Sequence, residues 1–324
     1  MKTKLFSILL ILGTFVSCKD VSNEIQLPDT TIDPYSDSIW VKVSNFDSNV
    51  YLRCIYANGK DIYAGTDEKI YYSDNNGISW TYASSINQHG LRSICGDKEN
   101  VWGGQSLYGL YQSKDKCKTW TKINNGIPEN ELIYSLSISN NILYVGTYGS
   151  GLYRSINNGA TFEKVFDCAP EGEPIWKISS EGSNVVIAIF RRGIFSSSDN
   201  GITWSDISFK DNSEFYPTGL KIFRNSIYVS NQPYVYKKSV FDNDWKICNN
   251  NLFLWSSFNG IESKGDTLVV ATTYGISFST DESKTWTNYD FSRKKDLNVQ
   301  YDISCNDKFV FSTDQYNVWR TKLK

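Results

Sequence analysis

Arginines and aromatic residues that recur at one place in a series of repeats are the residues of this sequence best suited to hold a ligand. The recurring place is occupied by Arg53, Arg92, Tyr134, Trp176, Thr218, Asn259 and Gln300. An aromatic ring offers a flat apolar face, and an arginine offers a planar set of donors that suits a carboxylate or a sulfate. Including residues of short loops, we predict a ligand site drawn from Arg53, Arg92, Tyr134, Tyr148, Trp176, Arg191, Arg192 and Tyr274. The alternative is a solvated channel wall, with Arg191 and Arg192 as an ordinary loop pair.

An acid and a base for catalysis could come from His89, Glu131 and Glu173, which align just before three consecutive repeats of the same strand. Equivalent positions in neighbouring repeats commonly lie several ångströms apart, so these residues are weak candidates and no catalytic residue is predicted. His89 is the one histidine of the chain, which excludes a site built from several histidines. We predict no metal and no cofactor.

The elements that must position these side chains are repeats marked by one octapeptide. It occurs as Ser73–Trp80, Ser113–Trp120, Ser155–Phe162, Ser197–Trp204 and Ser279–Trp286, and a degenerate copy ends at Trp245. Its Ser and Asp side chains can hydrogen-bond the backbone of a tight turn, and its Gly allows a positive φ. Its final aromatic residue begins the next strand and can bury a large ring between neighbouring sheets.

Each octapeptide is preceded by further β-rich runs, so that one repeat of about 41 residues holds four strands, the usual blade of a β-propeller. The last run, 309–313 followed by 318–321, aligns without gaps to 143–147 and 152–155 and lacks an outer strand. Residues 38–43 resemble that missing strand. We therefore predict an all-β, seven-bladed propeller of four-stranded antiparallel blades, closed by an N-terminal strand that completes the last blade.

A second aligned position, two residues after the first, is mostly apolar. It reads Ile55, Ile94, Leu136, Ile178, Leu220, Ile261 and Asp302. These residues are expected to line the central channel beneath the first ring.

The N-terminus has the features of an export signal. Lys2 and Lys4 precede an apolar stretch that ends in Phe15-Val16-Ser17-Cys18, which resembles the bacterial lipobox, although Phe15 replaces the usual Leu. The resemblance implies lipidation of Cys18 and anchoring to the outer membrane, facing the periplasm or the cell surface. An ordinary secretory signal is the alternative. We divide the chain into a signal peptide (1–18), a flexible tether (19–37) and the propeller (38–324).

Charge gives no reason to expect nucleic acid as a partner, because 33 Lys and Arg are nearly balanced by 35 Asp and Glu. Six cysteines remain beside Cys18, at wide spacing, and we expect them to be mostly unpaired thiols. A monomer that touches the membrane through its lipid alone is expected.

The octapeptide pattern Ser-x-Asp-x-Gly-x-Thr-Trp resembles the Asp box, also called the BNR repeat. The repeats that carry this resemblance cover nearly all of residues 38–324. Proteins with this repeat include sialidases, xyloglucan-degrading enzymes, sortilin-type receptors and assembly factors like the photosystem II stability factor. The Arg-Ile-Pro motif of sialidases is missing here, and the sequence holds one propeller where the xyloglucanase type pairs two. The resemblance therefore implies a non-catalytic binding or assembly protein for a glycan or a protein partner, and a glycan hydrolase or lyase using the same face is the alternative.

Overall fold

A ring of seven antiparallel β-sheets forms the protein. The computed structural model describes residues 24–26, 41–43, 46, 50–84, 90–105, 109–169, 172–210, 215–240, 244–252, 258–273, 275–290 and 302–323. Within these ranges the regular structure consists of strands, and no helix has the length and apolar character needed to cross a membrane. The predicted all-β propeller with seven blades is confirmed.

The strands follow one another blade by blade. Two N-terminal strands come first, β1 (Glu24–Gln26) and β2 (Val41–Lys42). Blade one holds β3 (Leu52–Asn58), β4 (Asp61–Thr66), β5 (Ile70–Ser73) and β6 (Ser79–Ser84). Blade two holds β7 (Leu91–Gly96), β8 (Val101–Gln105), β9 (Gly109–Ser113) and β10 (Thr121–Lys122). Blade three holds β11 (Ile133–Ser139), β12 (Ile142–Thr147), β13 (Leu152–Ser155) and β14 (Glu163–Phe166).

The remaining blades repeat this order. Blade four holds β15 (Ile175–Glu181), β16 (Asn184–Ile189), β17 (Gly193–Ser197) and β18 (Ser205–Asp206). Blade five holds β19 (Pro217–Phe223), β20 (Ser226–Asn231), β21 (Tyr234–Ser239) and β22 (Lys246–Ile247). Blade six holds β23 (Phe258–Lys264), β24 (Thr267–Thr272), β25 (Gly275–Ser279) and β26 (Thr287–Asp290). Blade seven holds β27 (Asp302–Cys305), β28 (Phe309–Thr313) and β29 (Val318–Lys322).

The ring closes where the two ends of the chain meet. Val41 pairs with Arg320 and Lys42 with Trp319, so that β2 is the fourth strand of blade seven. The N–H of Val43 then donates to the carbonyl of Val318 at 2.9 Å, and the Val43 side chain is buried. The predicted closure by an N-terminal strand is confirmed, and it gives the last sheet the outer strand that the end of the chain does not supply.

Blade one gains a fifth strand from the segment that we expected to be a tether. Ile25 in β1 pairs with Trp80 in the outer strand β6, and the pairing is antiparallel. The outer edge of this blade is therefore covered by backbone hydrogen bonds.

The octapeptide turns are held by their own polar side chains. In blade four, Asp199 accepts hydrogen bonds from Ser197 Oγ at 2.7 Å, from the Thr203 N–H at 2.9 Å and from Thr203 Oγ1 at 2.6 Å. The same bonds around Asp281 in blade six, from the Thr285 hydroxyl first, lower the pKa of that carboxyl to about 2. The octapeptides thus stabilise turns, on the face of the ring opposite to the loops between second and third strands.

Four of the octapeptide turns also fasten their blade to the preceding one. A long side chain in the third strand of one blade donates to the carbonyl of the fourth octapeptide residue in the next blade. The pairs are Arg320 with Asn76, Gln112 with Asn158, Arg154 with Asn200, and Lys237 with Glu282. Those four acceptor residues have positive φ, between 56° and 62°, which turns their carbonyls toward the neighbouring blade.

The octapeptide aromatic residues lie between the blades, as predicted. The indole N–H of Trp80 donates to the carbonyl of Val43 at 2.6 Å, and Trp286 donates to Cys248 at 2.7 Å. Seven clusters of buried apolar side chains each join two neighbouring blades, and together they are the core. The six described cysteines are free thiols, of which four are buried.

The gapless alignment of blade seven is wrong by one residue. The hairpin after β28 is closed by a bond from the Asp314 N–H to the carbonyl of Asn317, three residues on, whereas the bond from Thr147 in blade three spans four residues. Blade seven therefore has one residue fewer in this turn. As a result Ile303, packed against blade six, takes the apolar channel position that we assigned to Asp302.

Candidate ligand-binding face

One face of the ring carries the beginnings of the inner strands and the hairpins between second and third strands, and we call it the loop face. In blades one to six, each inner strand has a β-bulge near its start, where one extra residue interrupts the pairing with the second strand. The bulged residues are Arg53, Arg92, Tyr134, Trp176, Thr218 and Asn259. A bulge turns a side chain out of the regular alternation of a strand. The first predicted ring therefore coincides with a special backbone position, although Gln300 lies outside the described residues.

The bulged residues of blades one to four surround the mouth of the central channel. A cavity of about 560 Å³ runs along the ring axis and is lined at this end by Arg53, Arg92, Tyr134 and Trp176. Apolar residues such as Ile55 line it at the next level, as predicted.

Aromatic and arginine side chains form a continuous row across the loop face of blades two to five. The Arg92 guanidinium lies 4.6 Å from the centre of the Tyr134 ring, and Tyr134 lies 5.7 Å from Trp176, centre to centre. Trp176 is stacked on Phe190 at 4.8 Å, and Phe190 meets Tyr216 edge to face at 5.1 Å. We call this row, together with Arg191, the aromatic arc.

Two further residues extend the aromatic arc. The Arg191 guanidinium lies 5.1 Å from the Phe190 ring and 5.8 Å from the Tyr216 ring. Tyr148, which is 50% exposed, lies 5.7 Å from Tyr134. Five of the eight predicted ligand residues, Arg92, Tyr134, Tyr148, Trp176 and Arg191, are thus brought together.

The backbone beneath the aromatic arc is held firmly. Arg191 has a φ of 58°, in the left-handed region that an arginine seldom adopts, and its N–H donates to the carbonyl of Phe215 in the next blade at 3.0 Å. The N–H of Phe190 donates to Pro174 at 3.2 Å. Such a conformation persists where the surroundings impose it, and these two backbone bonds hold the loop that carries Phe190 and Arg191.

Three predicted ligand residues do not join the aromatic arc in the described contacts. Arg53 forms a two-pronged ion pair with Asp67, at 2.6 and 3.1 Å. Arg192 turns away from Arg191, and its guanidinium lies over Phe195 at 5.6 Å, toward the outer part of blade four. Tyr274 lies outside the described residues.

Sequence reasoning missed Phe190 and Tyr216. Phe190 follows directly on the second strand of blade four, and Tyr216 directly precedes the inner strand of blade five. Their positions beside the predicted Arg191 and beside an inner strand were the available signals. Their contact with each other joins two blades and could not be read from a single repeat.

The weak catalytic candidates are not assembled into a described site. Ser150 Oγ donates to Glu131 Oε2 at 2.6 Å within blade three, and no described contact joins Glu131 to Glu173. His89 lies outside the described residues. Over the described part of the chain, no cluster of His, Cys, Asp and Glu has the geometry to hold a metal ion.

Deeper in the channel, charged side chains are paired or hydrogen-bonded. Lys221 and Glu262 form an ion pair at 2.7 Å, and although burial alone would lower the pKa of Lys221, the charge of Glu262 raises it overall. Asp302 accepts the Ile55 N–H at 2.9 Å, and burial raises the pKa of its carboxyl. This part of the channel therefore already has its own internal partners.

Comparison with known proteins supports the class of fold. No protein-family model matches the sequence, and no curated protein matches it. Among solved structures, a YCF48 protein bound to D1 peptide superposes with a TM-score of 0.70 and 11% identity, over 88% of this chain and 97% of that one. The protein is thus a seven-bladed propeller domain like these neighbours.

Two other structural neighbours are parts of different kinds of protein. The extracellular domain of a putative one-component system from B. thetaiotaomicron has a TM-score of 0.69 and 13% identity, over 88% of this chain and 40% of that one. The GH74 enzyme of Niastella koreensis has a TM-score of 0.67 and 19% identity, over 87% of this chain and 53% of that one. This chain spans about half or less of the length of these two proteins, and identities this low establish the fold alone.

Proposed function

We propose that this protein is a non-catalytic binding lipoprotein that recognises a glycan or a protein partner through the aromatic arc. The observation that carries the proposal is the continuous contact from Arg92 through Trp176 to Tyr216 across four blades. Trp, Tyr and Arg are enriched among the residues that dominate binding energy, and Trp and Tyr bury a large area at little entropic cost.

The form of the surface supports recognition over mere packing. Tyr134, Trp176, Phe190 and Tyr216 are half-buried, so each ring is fixed by its neighbours while part of it stays accessible. Tyr134 and Trp176 lie at β-bulges, and Arg191 has a backbone conformation in the left-handed region. A surface that is held rigid in this way loses little entropy on binding.

The test of this site uses two adjacent arginines. Membranes that contain the protein would be solubilised, and partners recovered with the wild type and with Trp176→Ala, Arg191→Ala and Arg192→Ala. Arg191 contacts the aromatic arc, whereas the guanidinium of Arg192 lies over Phe166 and Phe195, so Arg192→Ala is the matched control. We expect loss of the partner with Trp176→Ala and Arg191→Ala alone. Equal recovery with all three variants would contradict the proposal.

Catalysis is checked on the same samples. Release of reducing ends or of unsaturated sugars from a glycan panel would contradict the non-catalytic proposal. It would support the alternative, a glycan hydrolase or lyase that uses the same face. The GH74 neighbour is the observation in favour of that alternative.

The proposal also includes anchoring of the protein to the outer membrane through a lipid on Cys18. It further includes the identity of the octapeptides as Asp-box repeats. The support is the run Phe15-Val16-Ser17-Cys18 after an apolar stretch. Cells would be fed a labelled fatty acid, and we expect label on the wild type and none on Cys18→Ala. A labelled Cys18→Ala variant, or a wild-type chain that stays unlabelled, would contradict lipidation.

A further inference from the structure

We infer that the ligand of the aromatic arc is an extended, uncharged oligosaccharide that lies along the arc from blade two toward blade five. This inference rests on the proposed function and narrows its ligand to one chemical class. It is carried by the continuity of the rings, by the polar groups beside them and by the hydrogen bonds of the backbone around them.

The rings form one continuous apolar strip. Successive centres from Tyr134 through Trp176 and Phe190 to Tyr216 are 4.8 to 5.7 Å apart, so each ring is in direct contact with the next. A sugar ring has an apolar face of C–H groups and a rim of hydroxyls. Aromatic residues with accessible faces and edges bury the first while the second stays available for hydrogen bonds.

The polar groups beside the arc suit hydroxyls better than charges. Arg92 and Arg191 are planar donors at its two ends, while Glu131 and Glu173 are planar acceptors just before the inner strands of blades three and four. Glu131 is already oriented by the Ser150 hydroxyl. Planar groups can engage two neighbouring hydroxyls of a sugar at once. Two cations matched by two anions do not favour a strongly charged ligand.

The backbone around the arc leaves little for a peptide strand to pair with. Peptides commonly bind by adding a strand to an open sheet edge. Here the N–H groups of Tyr148, Phe190 and Arg191 donate to the carbonyls of Leu132, Pro174 and Phe215. Side chains therefore have to supply the recognition, as is usual for a glycan.

A row of rings predicts a dependence on ligand length. Each added sugar covers more of the apolar strip until its end is reached, so affinity should rise from disaccharide to about a tetrasaccharide and then level off. A small ligand held in the channel mouth, or a protein held by a few anchors, would give no such dependence.

The experiment measures binding to the full-length chain in a detergent without a sugar head group. Cello-, manno-, xylo- and chito-oligosaccharides from disaccharide to hexasaccharide are titrated by calorimetry, with tryptophan fluorescence as a second readout, and oligogalacturonates serve as the charged comparison. We expect one neutral series to bind with the predicted length dependence. Trp176→Ala should weaken the best ligand at least about tenfold, and Arg92→Gln should weaken it measurably.

Matched controls separate the arc from the rest of the surface. Tyr82→Ala removes a tyrosine that is 45% exposed on the outer strand of blade one, and Arg224→Gln removes an arginine from a turn on the opposite face. Neither change should alter sugar binding.

Three results would overturn the inference, and each bears differently on the proposed function. Tighter binding of oligogalacturonates than of any neutral series would show a charged ligand at the same site. Binding of no sugar, with Trp176-dependent capture of a protein from membranes, would make the ligand a protein and leave the binding function intact. Sugar binding unchanged by Trp176→Ala and Arg92→Gln would remove the aromatic arc, and the proposed function with it.

Discussion

One buried indole is hydrogen-bonded next to the strand that closes the ring, and replacing it tests how this closure is held. The indole N–H of Trp80 donates to the carbonyl of Val43, the residue that follows the closing strand β2. Trp80 is 2% exposed and belongs to the apolar cluster between blades one and seven. The substitution Trp80→Phe keeps an aromatic ring in the cluster and removes the donor.

The expected loss of stability has two parts. A buried carbonyl that loses its donor costs about 1–3 kcal/mol. The smaller ring also gives up roughly 40 Å² of apolar contact, which is about 1 kcal/mol. We therefore expect Trp80→Phe to lower the free energy of unfolding by about 2–4 kcal/mol. Blade three already has Phe162 at this octapeptide position, so the ring alone is compatible with the fold.

The matched control is Trp120→Phe in blade two. The Trp120 indole is half-buried and donates to the Ser84 hydroxyl, which also donates to the carbonyl of Cys117 and can turn to keep a partner. We expect this variant to lose only about 1 kcal/mol.

The assay is urea unfolding followed by circular dichroism, together with hydrogen exchange of the Val43 amide, which bonds the carbonyl of Val318. Trp80→Phe should unfold at lower urea with an unchanged slope and should speed exchange at Val43. Equal losses in the two variants, with unchanged exchange at Val43, would refute the idea that this indole secures the closing strand.

Three further predictions concern single residues elsewhere in the ring. Gly126→Ala should lower the melting temperature, because Gly126 has a φ of 102° and a Cβ there would lie 2.1 Å from the carbonyl oxygen of Phe162; an unchanged melting temperature would contradict this close approach. Asp281→Asn should destabilise the protein at pH 7 but not near pH 2, because a carboxyl whose pKa is lowered to about 2 stabilises the fold above its ordinary pKa of about 4 and loses this contribution as the pH falls toward 2. A lower urea midpoint of the variant that persists at pH 2 would count against this prediction. Asp302→Asn should stabilise the protein at pH 8, with a gain that shrinks toward low pH, because burial raises the pKa of Asp302 and the ionised carboxylate opposes folding. The Asn oxygen can still accept the Ile55 N–H, and a loss of stability at pH 8 would contradict the prediction.

The architecture was predictable because it is local chemistry repeated at a constant interval. The octapeptide turns of Asp199 and Asp281 are held by side chains within eight residues of sequence. Each copy of the octapeptide therefore predicts the turn that it forms. Once the seven repeats were aligned, the closing strand at Val41 followed from the strand that blade seven lacks. The ring of aligned residues at the start of the inner strands followed too, because equivalent residues of a repeat lie at equivalent points, but the bulges at this position were not predicted.

The candidate site was predictable only in part. Arg92, Tyr134 and Trp176 were found because they share one position in the repeat. Arg53 shares that position as well, yet its ion pair with Asp67 sets it apart from them. The offset at Asp302 arose because a turn one residue shorter leaves the same strand pattern in the sequence.

The number of blades, the turns that join their strands and the meeting of the two termini can be read from the sequence, because hydrogen bonds between near neighbours and the alternation of side chains encode all three. The contacts between loop residues cannot be read in this way. Arg191 and Arg192 are adjacent in sequence but point to different parts of blade four, whereas Phe190 and Tyr216 are distant in sequence and in contact. Such contacts depend on the packing of one blade against the next, and no single repeat contains that information.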